Sequence, residues 1–353
     1  MQLFLNILLL IAGLAALVVG AEFFVRSASS LAKKLKVSTL MIGLTIVAFG
    51  TGLPEIVMAL IGGITGHTDL ALGNIIGSNM VNMLLIMGLA AVIVPLSVQK
   101  ETRRIDLPAL MIMSFMLLIF CLDPWLNGAD ENMLTRGESI ILLLAVAVYE
   151  TIIIVGAKRN RLTPFEIKQE VEAETKNQTE DKTVTEAESK TEDSVQTKTE
   201  TKKEMKIWKV LLLLFGGIVL VGAGGQAVSM ACETIAVLAG LSETLIGATI
   251  VGVSTNFPEL FTMLFAIKRK ENDLAIGTLI GSNILNMGFI LSIMGVTSQI
   301  LITTNVVIDM IIMLAATIFV SVAAYTRGKI SRFEGIVLLA MYVGYITYII
   351  IRN

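Results

Sequence analysis

The sequence is poor in the residues that most often carry chemistry in water. In 353 residues there are one histidine, two cysteines and six prolines. Cys121 and Cys232 both fall in apolar stretches with no metal-ligand spacing around them, so they are read as small core residues and no disulfide framework is expected. His67, in a short polar loop, is read as a solvated residue, which leaves no histidine for a metal centre or a catalytic dyad. No nucleophile–base pair is visible, so a membrane enzyme is disfavoured. Charge is scarce as well. Only 16% of the residues are charged, against about 25% in soluble domains. That shortage excludes an ordinary water-soluble enzyme.

What is present is hydrophobic length. The apolar fraction is 55% and the mean hydropathy +0.80, which also excludes a disordered or fibrous chain. Ten stretches approach or exceed the ~20 residues that cross a bilayer: 2–25, 39–63, 70–96, 105–123, 137–157, 207–236, 243–267, 273–299, 304–325 and 332–351. They are too long and too unalternating for barrel strands, so an all-α polytopic membrane protein of ten transmembrane helices is expected. The run from Met1 has no positive leader and no small-residue cleavage site close behind it. It is expected to be a first span and not a removable signal.

One segment is of another kind. Between Phe165 and Lys206 the sequence is almost all Glu, Lys, Thr, Gln and Ser, with 12 acidic and 8 basic residues. It has too little apolar surface to offset the entropy of ordering. Residues 158–206 are therefore expected to be a disordered cytoplasmic linker between residues 1–157 and 207–353. Without Phe165–Lys206 the chain keeps 17 acidic and 19 basic residues, and the formal charge of −2 becomes +2. The basic residues cluster after odd-numbered spans: Lys33, Lys34 and Lys36; Lys100, Arg103 and Arg104; Lys158, Arg159 and Arg161; Lys268, Arg269 and Lys270; Arg327, Lys329 and Arg332. The opposite side has only Arg136 and Arg352. The positive-inside rule then places both termini outside and the linker in the cytoplasm.

Two segments align without a gap at an offset of 204. Gly43–Leu84, GLTIVAFGTGLPEIVMALIGGITGHTDLALGNIIGSNMVNML, and Gly247–Gly288, GATIVGVSTNFPELFTMLFAIKRKENDLAIGTLIGSNILNMG, share 18 of 42 positions. The matches include Pro54/Pro258, Glu55/Glu259, Thr51/Thr255, Asp69/Asp273, Ser78/Ser282 and Asn82/Asn286, which shared membrane composition does not produce. Five spans precede the linker and five follow it. An odd number per half gives the halves opposite orientation, the inverted-topology repeat of many secondary transporters, whose ion sites lie near the midplane.

Glu55 and Glu259 are the strongest signals. A carboxylate inside an apolar span is costly unless it is paired or bound to a cation, and two at equivalent positions would meet across the pseudo-two-fold axis. Hard cations take oxygen ligands, roughly 6–8 of them for Ca²⁺, so further oxygens are needed. Thr51 and Thr255 lie four residues before each Glu, on the same helical face. Pro54 and Pro258 break the helical bonding and free the carbonyls of Gly50 and Ser254. In the next span of each half, Ser78 with Asn82 and Ser282 with Asn286 are i, i+4 pairs on one face. Asn79 and Asn283 are read instead as interhelical hydrogen-bonding residues. Glu22 and Arg26 are expected to pair within the first span, Glu150 falls short of the cytoplasmic end of the fifth, and Glu233 and Asp309 lie near outer ends. The 18 methionines are read as helical filler.

The pairs GTGLPE…GNIIGSNMVN and STNFPE…GTLIGSNILN resemble the two α-repeats of the Ca²⁺/cation antiporter superfamily, most of all prokaryotic sodium/calcium exchangers. The resemblance covers the whole ten-span architecture. It implies electrogenic exchange of several Na⁺ for one Ca²⁺ by alternating access, with both ions sharing the two Glu. By motif position it implies sites lined by Thr51, Glu55, Ser78, Asn82, Thr255, Glu259, Ser282 and Asn286. The transported ions and the bilayer are the expected partners; no cofactor and no nucleic acid is, and a monomeric transporter is expected.

The sequence departs from the family's G-T-S-x-P-E at Gly52, at Ser254 and at Asn256, whose amide oxygen is a further candidate ligand. Asn286 stands where the family commonly has Asp, and Thr278 where the first repeat keeps Asn74. Two carboxylates without a third acid argue against an additional bound K⁺. Ca²⁺/H⁺ exchange, with Glu55 or Glu259 titrating beside Asn256, stays open; a cation channel fits an inverted repeat with one internal Glu pair less well. Glycines in the first and sixth spans, among them Gly13, Gly20, Gly217 and Gly224, make those two spans the expected movers.

Overall fold

The computed structural model describes residues 2–66, 68–122, 128, 131–159, 206–239 and 252–352. His67, residues 160–205 of the linker, and residues 243–251 of the seventh apolar stretch lie outside them.

Helices form over most of the apolar stretches. Among the described residues, seven helices are long and apolar enough to cross a membrane, and an eighth if the bent pair Thr39–Thr51 and Leu53–Thr65 counts as one span. The first runs Gln2–Leu35, ten residues beyond the expected end. Small buried residues, Ser27, Ala28, Ser29 and Ala32, let it continue against its neighbours, and Lys33 and Lys34 in its last turn suit the negative end of the helix dipole. The fourth starts earlier than expected and ends at Phe120. A π-helical turn, Thr102–Asp106, leads into Leu107–Phe120, and Pro108 near the start of that helix fixes the changeover. The fifth, sixth, ninth and tenth are Arg136–Arg159, Ile207–Leu238, Thr304–Arg327 and Arg332–Arg352. Of the seventh, Gly252–Ser254 and Phe257–Lys268 are described.

Irregular features recur at the 204-residue offset. The second stretch bends by 50° between Thr51 and Leu53. Gly52 has left the helical region there (φ −78°, ψ 5°), as has Asn256 (φ −95°, ψ 10°) just before Phe257. Pro follows two residues later in both, where its missing N–H costs nothing because a helix is starting. The third and eighth stretches each break into a π-helical segment at the paired asparagines: Thr68–Met80, Val81–Ile86, Met87–Ile93 in one and Asn272–Leu285, Asn286–Ile290, Leu291–Thr297 in the other. Such bulges insert an extra residue into a turn and re-aim side chains, often at functional positions. Left-handed Gly66 (φ 79°) is matched by Lys270 (φ 61°).

Short strands tie the two halves together. Leu96–Ser97, after the third stretch, pairs antiparallel with Lys329–Ile330, before the tenth. Ile300–Ile302, after the eighth, pairs with Asn132–Leu134, before the fifth. Correspondingly, Met87–Ile93 packs on Arg332–Arg352, and Leu291–Thr297 on Arg136–Arg159.

The centre is a close crossing of the second stretch over the eighth. In a bilayer helices gain little from burying apolar surface against each other, so close backbone approach over small residues supplies the contact. A Cβ on Gly277 would stand 2.6 Å from the Leu40 carbonyl oxygen, and one on Gly43 2.7 Å from that of Leu274. This crossing brings the Pro-Glu break of one half beside the Ser-Asn helix of the other. The first and sixth helices form a separate closely packed pair flanking it, joined along Gly13, Gly20, Gly217 and Gly224.

Candidate cation site

The two breaks deliver Glu55 and Glu259 to the first turns of Leu53–Thr65 and Phe257–Lys268. Both side chains are buried, at 2% and 1% exposure. They are near enough to repel one another, and the Thr51 hydroxyl stands toward the Glu259 carboxylate. Pro54 and Pro258 have no N–H with which to make the i→i−4 bonds to the carbonyls of Gly50 and Ser254.

Thr51, Ser78, Asn82, Asn256, Ser282 and Asn286 are all buried with the two acids, and Thr255 is half-buried. A hydrogen-bonded chain crosses between the halves. Ser78 Oγ donates to Asn256 Oδ1 at 2.5 Å and lies 3.4 Å from Glu55 Oε1. Asn286 Nδ2 donates to Ser78 Oγ at 3.4 Å and to Asn79 Oδ1 at 3.0 Å. Asn256 Nδ2 donates to Thr255 Oγ1 at 3.3 Å. The Thr51 hydroxyl turns back to the carbonyls of Val47 and Ala48, at 3.2 and 3.4 Å.

Around this chain, buried polar atoms are left over. Glu55 Oε2, Glu259 Oε2, Ser282 Oγ, and both polar atoms of Asn82 have no hydrogen-bond partner among the described residues. Buried polar groups are nearly always paired, because an unmade hydrogen bond forfeits the full desolvation cost. Two carboxylate oxygens, a hydroxyl and an amide oxygen left open in one buried region form a donor set for a hard cation. Among the described residues no three His, Cys, Asp or Glu side chains cluster, so the acid content of the site is the two glutamates.

Sequence reasoning undervalued three residues. Asn79 does bridge helices as expected, yet the group it holds is Asn286. Asn283 is buried with both polar atoms unpartnered among the described residues, and so is the hydroxyl of Thr262, one turn beyond Glu259. A polar residue at i+3 from a buried acid was the available signal for Thr262.

The other intramembrane charges stay apart. Glu22 and Arg26 are both exposed, and the expected ion pair does not close. Glu233 is exposed. Asp309 takes a two-pronged bond from Arg352, at 2.7 Å to each oxygen. Asp106, which sequence reasoning passed over, is buried beneath the Tyr149 hydroxyl at 3.1 Å, with Glu150 nearby.

A helical scaffold with paired, broken helices around an intramembrane acid pair defines a multi-pass membrane transporter. The chain belongs to the sodium/calcium exchanger protein family, whose profile matches residues 5–155 and 209–351. It is 32% identical over 342 residues to CaxA of Alkalimonas amylolytica, which carries an antiporter's name, covering 94% of this chain and 95% of that protein. It is 31% identical over 346 residues to the sodium/calcium exchanger MaX1 of Methanosarcina acetivorans, covering 97% of each. Its fold matches that of the sodium-calcium exchanger NCX_Mj soaked with zero Na⁺ and Ca²⁺, with a TM-score of 0.76 over 97% of this chain and 98% of that one, at 23% identity. The family is one of cation antiporters and not of enzymes, and membership makes the chain an integral multi-pass membrane protein.

Proposed function

We propose that the chain exchanges Na⁺ for Ca²⁺ across the cell membrane by alternating access at the Glu55–Glu259 site. The observation that carries this reading is the pair of buried carboxylates, each with one oxygen unpartnered among the described residues, beside the open oxygens of Ser282 and Asn82. Two ionised carboxylates in a dry site repel, and leaving them empty during reorientation would be expensive. One Ca²⁺, or a set of Na⁺ ions, neutralises them. Glu55, Glu259, Thr51, Thr255, Ser78, Ser282, Asn82, Asn286 and Asn256 are the ligands of this proposal, with Asn286 acting mainly through its grip on Ser78 and Asn79. MaX1 is named a sodium/calcium exchanger, and the two chains align over nearly their full lengths.

The same reading includes the layout: ten spans as two inverted five-helix repeats (1–157 and 207–353), both termini outside, residues 158–206 a cytoplasmic linker, and a monomer as the working unit. The recurrence of breaks, π-helical segments and left-handed turns at the 204-residue offset supports the repeat. The Asp309–Arg352 pair supports the orientation: it neutralises one of the two basic residues on the side assigned outside. The first–sixth pair is the element that slides, and cross-linking it to the central helices stops exchange.

The experiment is Ca²⁺ uptake into proteoliposomes driven by a Na⁺ gradient or by a pH gradient. Uptake driven by Na⁺ and indifferent to the pH gradient is expected. Uptake driven only by the pH gradient makes the chain a Ca²⁺/H⁺ exchanger on the same scaffold, and flux without any counter-ion makes it a channel.

A further inference from the structure

Away from the ion site, the fourth and fifth helices leave an open groove of about 650 Å³ between them. Its walls are apolar: Ile105, Pro108 and Ile112 on one side, Ile141, Leu144 and Val148 on the other. One charged residue lines it, Arg104, and no acidic one does. Arg104 is exposed, and no hydrogen bond or ion pair engages its guanidinium among the described residues. Asp106 is buried and covered by the Tyr149 hydroxyl, and neither the exposed Glu101 at the start of the fourth helix nor Glu150 on the fifth lines the groove, so Arg104 is its one charged lining residue.

We propose that this groove is a binding site for an anionic phospholipid, with one acyl chain between the fourth and fifth helices and the phosphate on Arg104. Three features select that occupant. The walls are Ile, Leu, Val, Pro and Ala, which favour a hydrocarbon chain. The helices run antiparallel, and the Tyr149–Asp106 bond fixes Arg104 at the same end as Ile152. From Ile152 to Ile141 the fifth helix rises about 16 Å at ~1.5 Å per residue, half the ~30 Å hydrocarbon core and so the depth of one leaflet. Finally, the charged end coincides with the basic cluster of Lys100, Arg103 and Arg104, the side where an anionic leaflet surface attracts arginine. A guanidinium binds a phosphodiester through paired N–H donors, which a lysine does not reproduce.

The test is native mass spectrometry of the full chain extracted with a mixture of phosphatidylglycerol and phosphatidylcholine. Three variants accompany the parent: Arg104→Ala removes the cation, Ala145→Leu fills the groove and leaves the charge, and Arg269→Ala removes an exposed cation elsewhere. The parent is expected to retain phosphatidylglycerol over phosphatidylcholine. Arg104→Ala should lower that retention about fivefold, the worth of one interfacial arginine, Ala145→Leu should lower it as well, and Arg269→Ala should leave it unchanged. Loss in Arg104→Ala without loss in Ala145→Leu overturns the groove as the seat. Equal loss in Arg269→Ala, or equal retention of both lipids, shows general surface attraction and overturns the site. Retention in all four proteins does the same. Circular dichroism of each variant confirms that a loss is not unfolding.

Discussion

The two halves carry the same glutamate in the same broken helix, but they surround it differently. The hydroxyl of Ser78 is engaged: it donates to Asn256, accepts from Asn286, and borders Glu55, while Asn82 one turn on keeps both polar atoms unpartnered among the described residues. On the Ser282 side the hydroxyl has no partner among the described residues, and neither does the amide of Asn283, the counterpart of Asn79. Part of the difference traces to one substitution between repeats. Where the first break has Gly52, the second has Asn256, whose side chain reaches across to Ser78. Nothing at Gly52 can reach back to Ser282. The Ser78 hydroxyl is thus held by protein–protein bonds, and the Ser282 hydroxyl, like the amide oxygen of Asn82, is left for an ion.

The largest effects should fall on what the halves share. Glu55→Gln and Glu259→Gln each remove a charged ligand, and Ca²⁺ exchange should drop about a hundredfold, as for a lost charged interaction of roughly 3 kcal/mol. Retained full transport in either variant ends the site assignment. Both variants should remain folded, because glutamine keeps the shape and removes one of two repelling charges.

Next comes the crossing that brings the halves together. Gly277→Val places a branched side chain against the Leu40 carbonyl and the Leu44 amide, where even a Cβ is too close. Overpacking costs about 1–3 kcal/mol, and here the obstacle is backbone, so the upper end is expected. The readout is the melting temperature of the purified protein in detergent. An unchanged melting temperature would mean that these helices do not cross at Gly43 and Gly277. Gly73→Val offers a control in the first half: no described atom lies within 4 Å of a Cβ there.

The comparison itself breaks or holds on the two serines. Ser78→Ala strands Asn256 Oδ1 from one of its donors, and the ion-free protein should lose about 1 kcal/mol of stability. Ser282→Ala should leave the ion-free protein as stable as before and instead reduce the stabilisation that added Ca²⁺ confers, by about fivefold in apparent affinity for a lost neutral oxygen of ~1 kcal/mol. Melting curves with and without Ca²⁺ separate the two. If both serines behave alike, the asymmetry is not energetic.

Much of this was legible in the chain. Hydropathy located the helices because a bilayer forces the backbone to bond within each span. The offset of 204 exposed the paired acids, and Pro54 and Pro258 announced the breaks, since proline acts on its own helix. What escaped depends on contacts distant in sequence. The first helix runs on past residue 25 because Ser27–Ala32 meet neighbours that local propensity does not see. The Ser78–Asn256 bond joins residues 178 apart. The strands that pair Leu96–Ser97 with Lys329–Ile330 are two residues long, too short for any alternation to show. Asn79 and Asn283 looked like a matched pair of structural residues, and only their partners tell them apart.

The smallest effect tests the cause of the asymmetry. Asn256→Gly makes the second break resemble the first. Ser78 then loses its strongest acceptor, while Glu55 Oε1 remains 3.4 Å away as an alternative. Because that acceptor is charged, the hydroxyl should turn to it, and the net loss in stability should be a few tenths of a kcal/mol, below the ~1 kcal/mol of a fully unmade bond. The turn has a second consequence. A Ser78 proton donated to Glu55 draws on charge that would otherwise serve a cation, so Ca²⁺ affinity should weaken about twofold by that same few tenths. Adding Ser282→Ala to Asn256→Gly should then be additive, since the two changes sit on opposite sides of the acid pair and share no bond. A coupling above about 0.5 kcal/mol between them would show that the Ser78–Asn256 bond and the open Ser282 hydroxyl act on one ion together, and that the two serines are not the separate parts their hydrogen bonds make them.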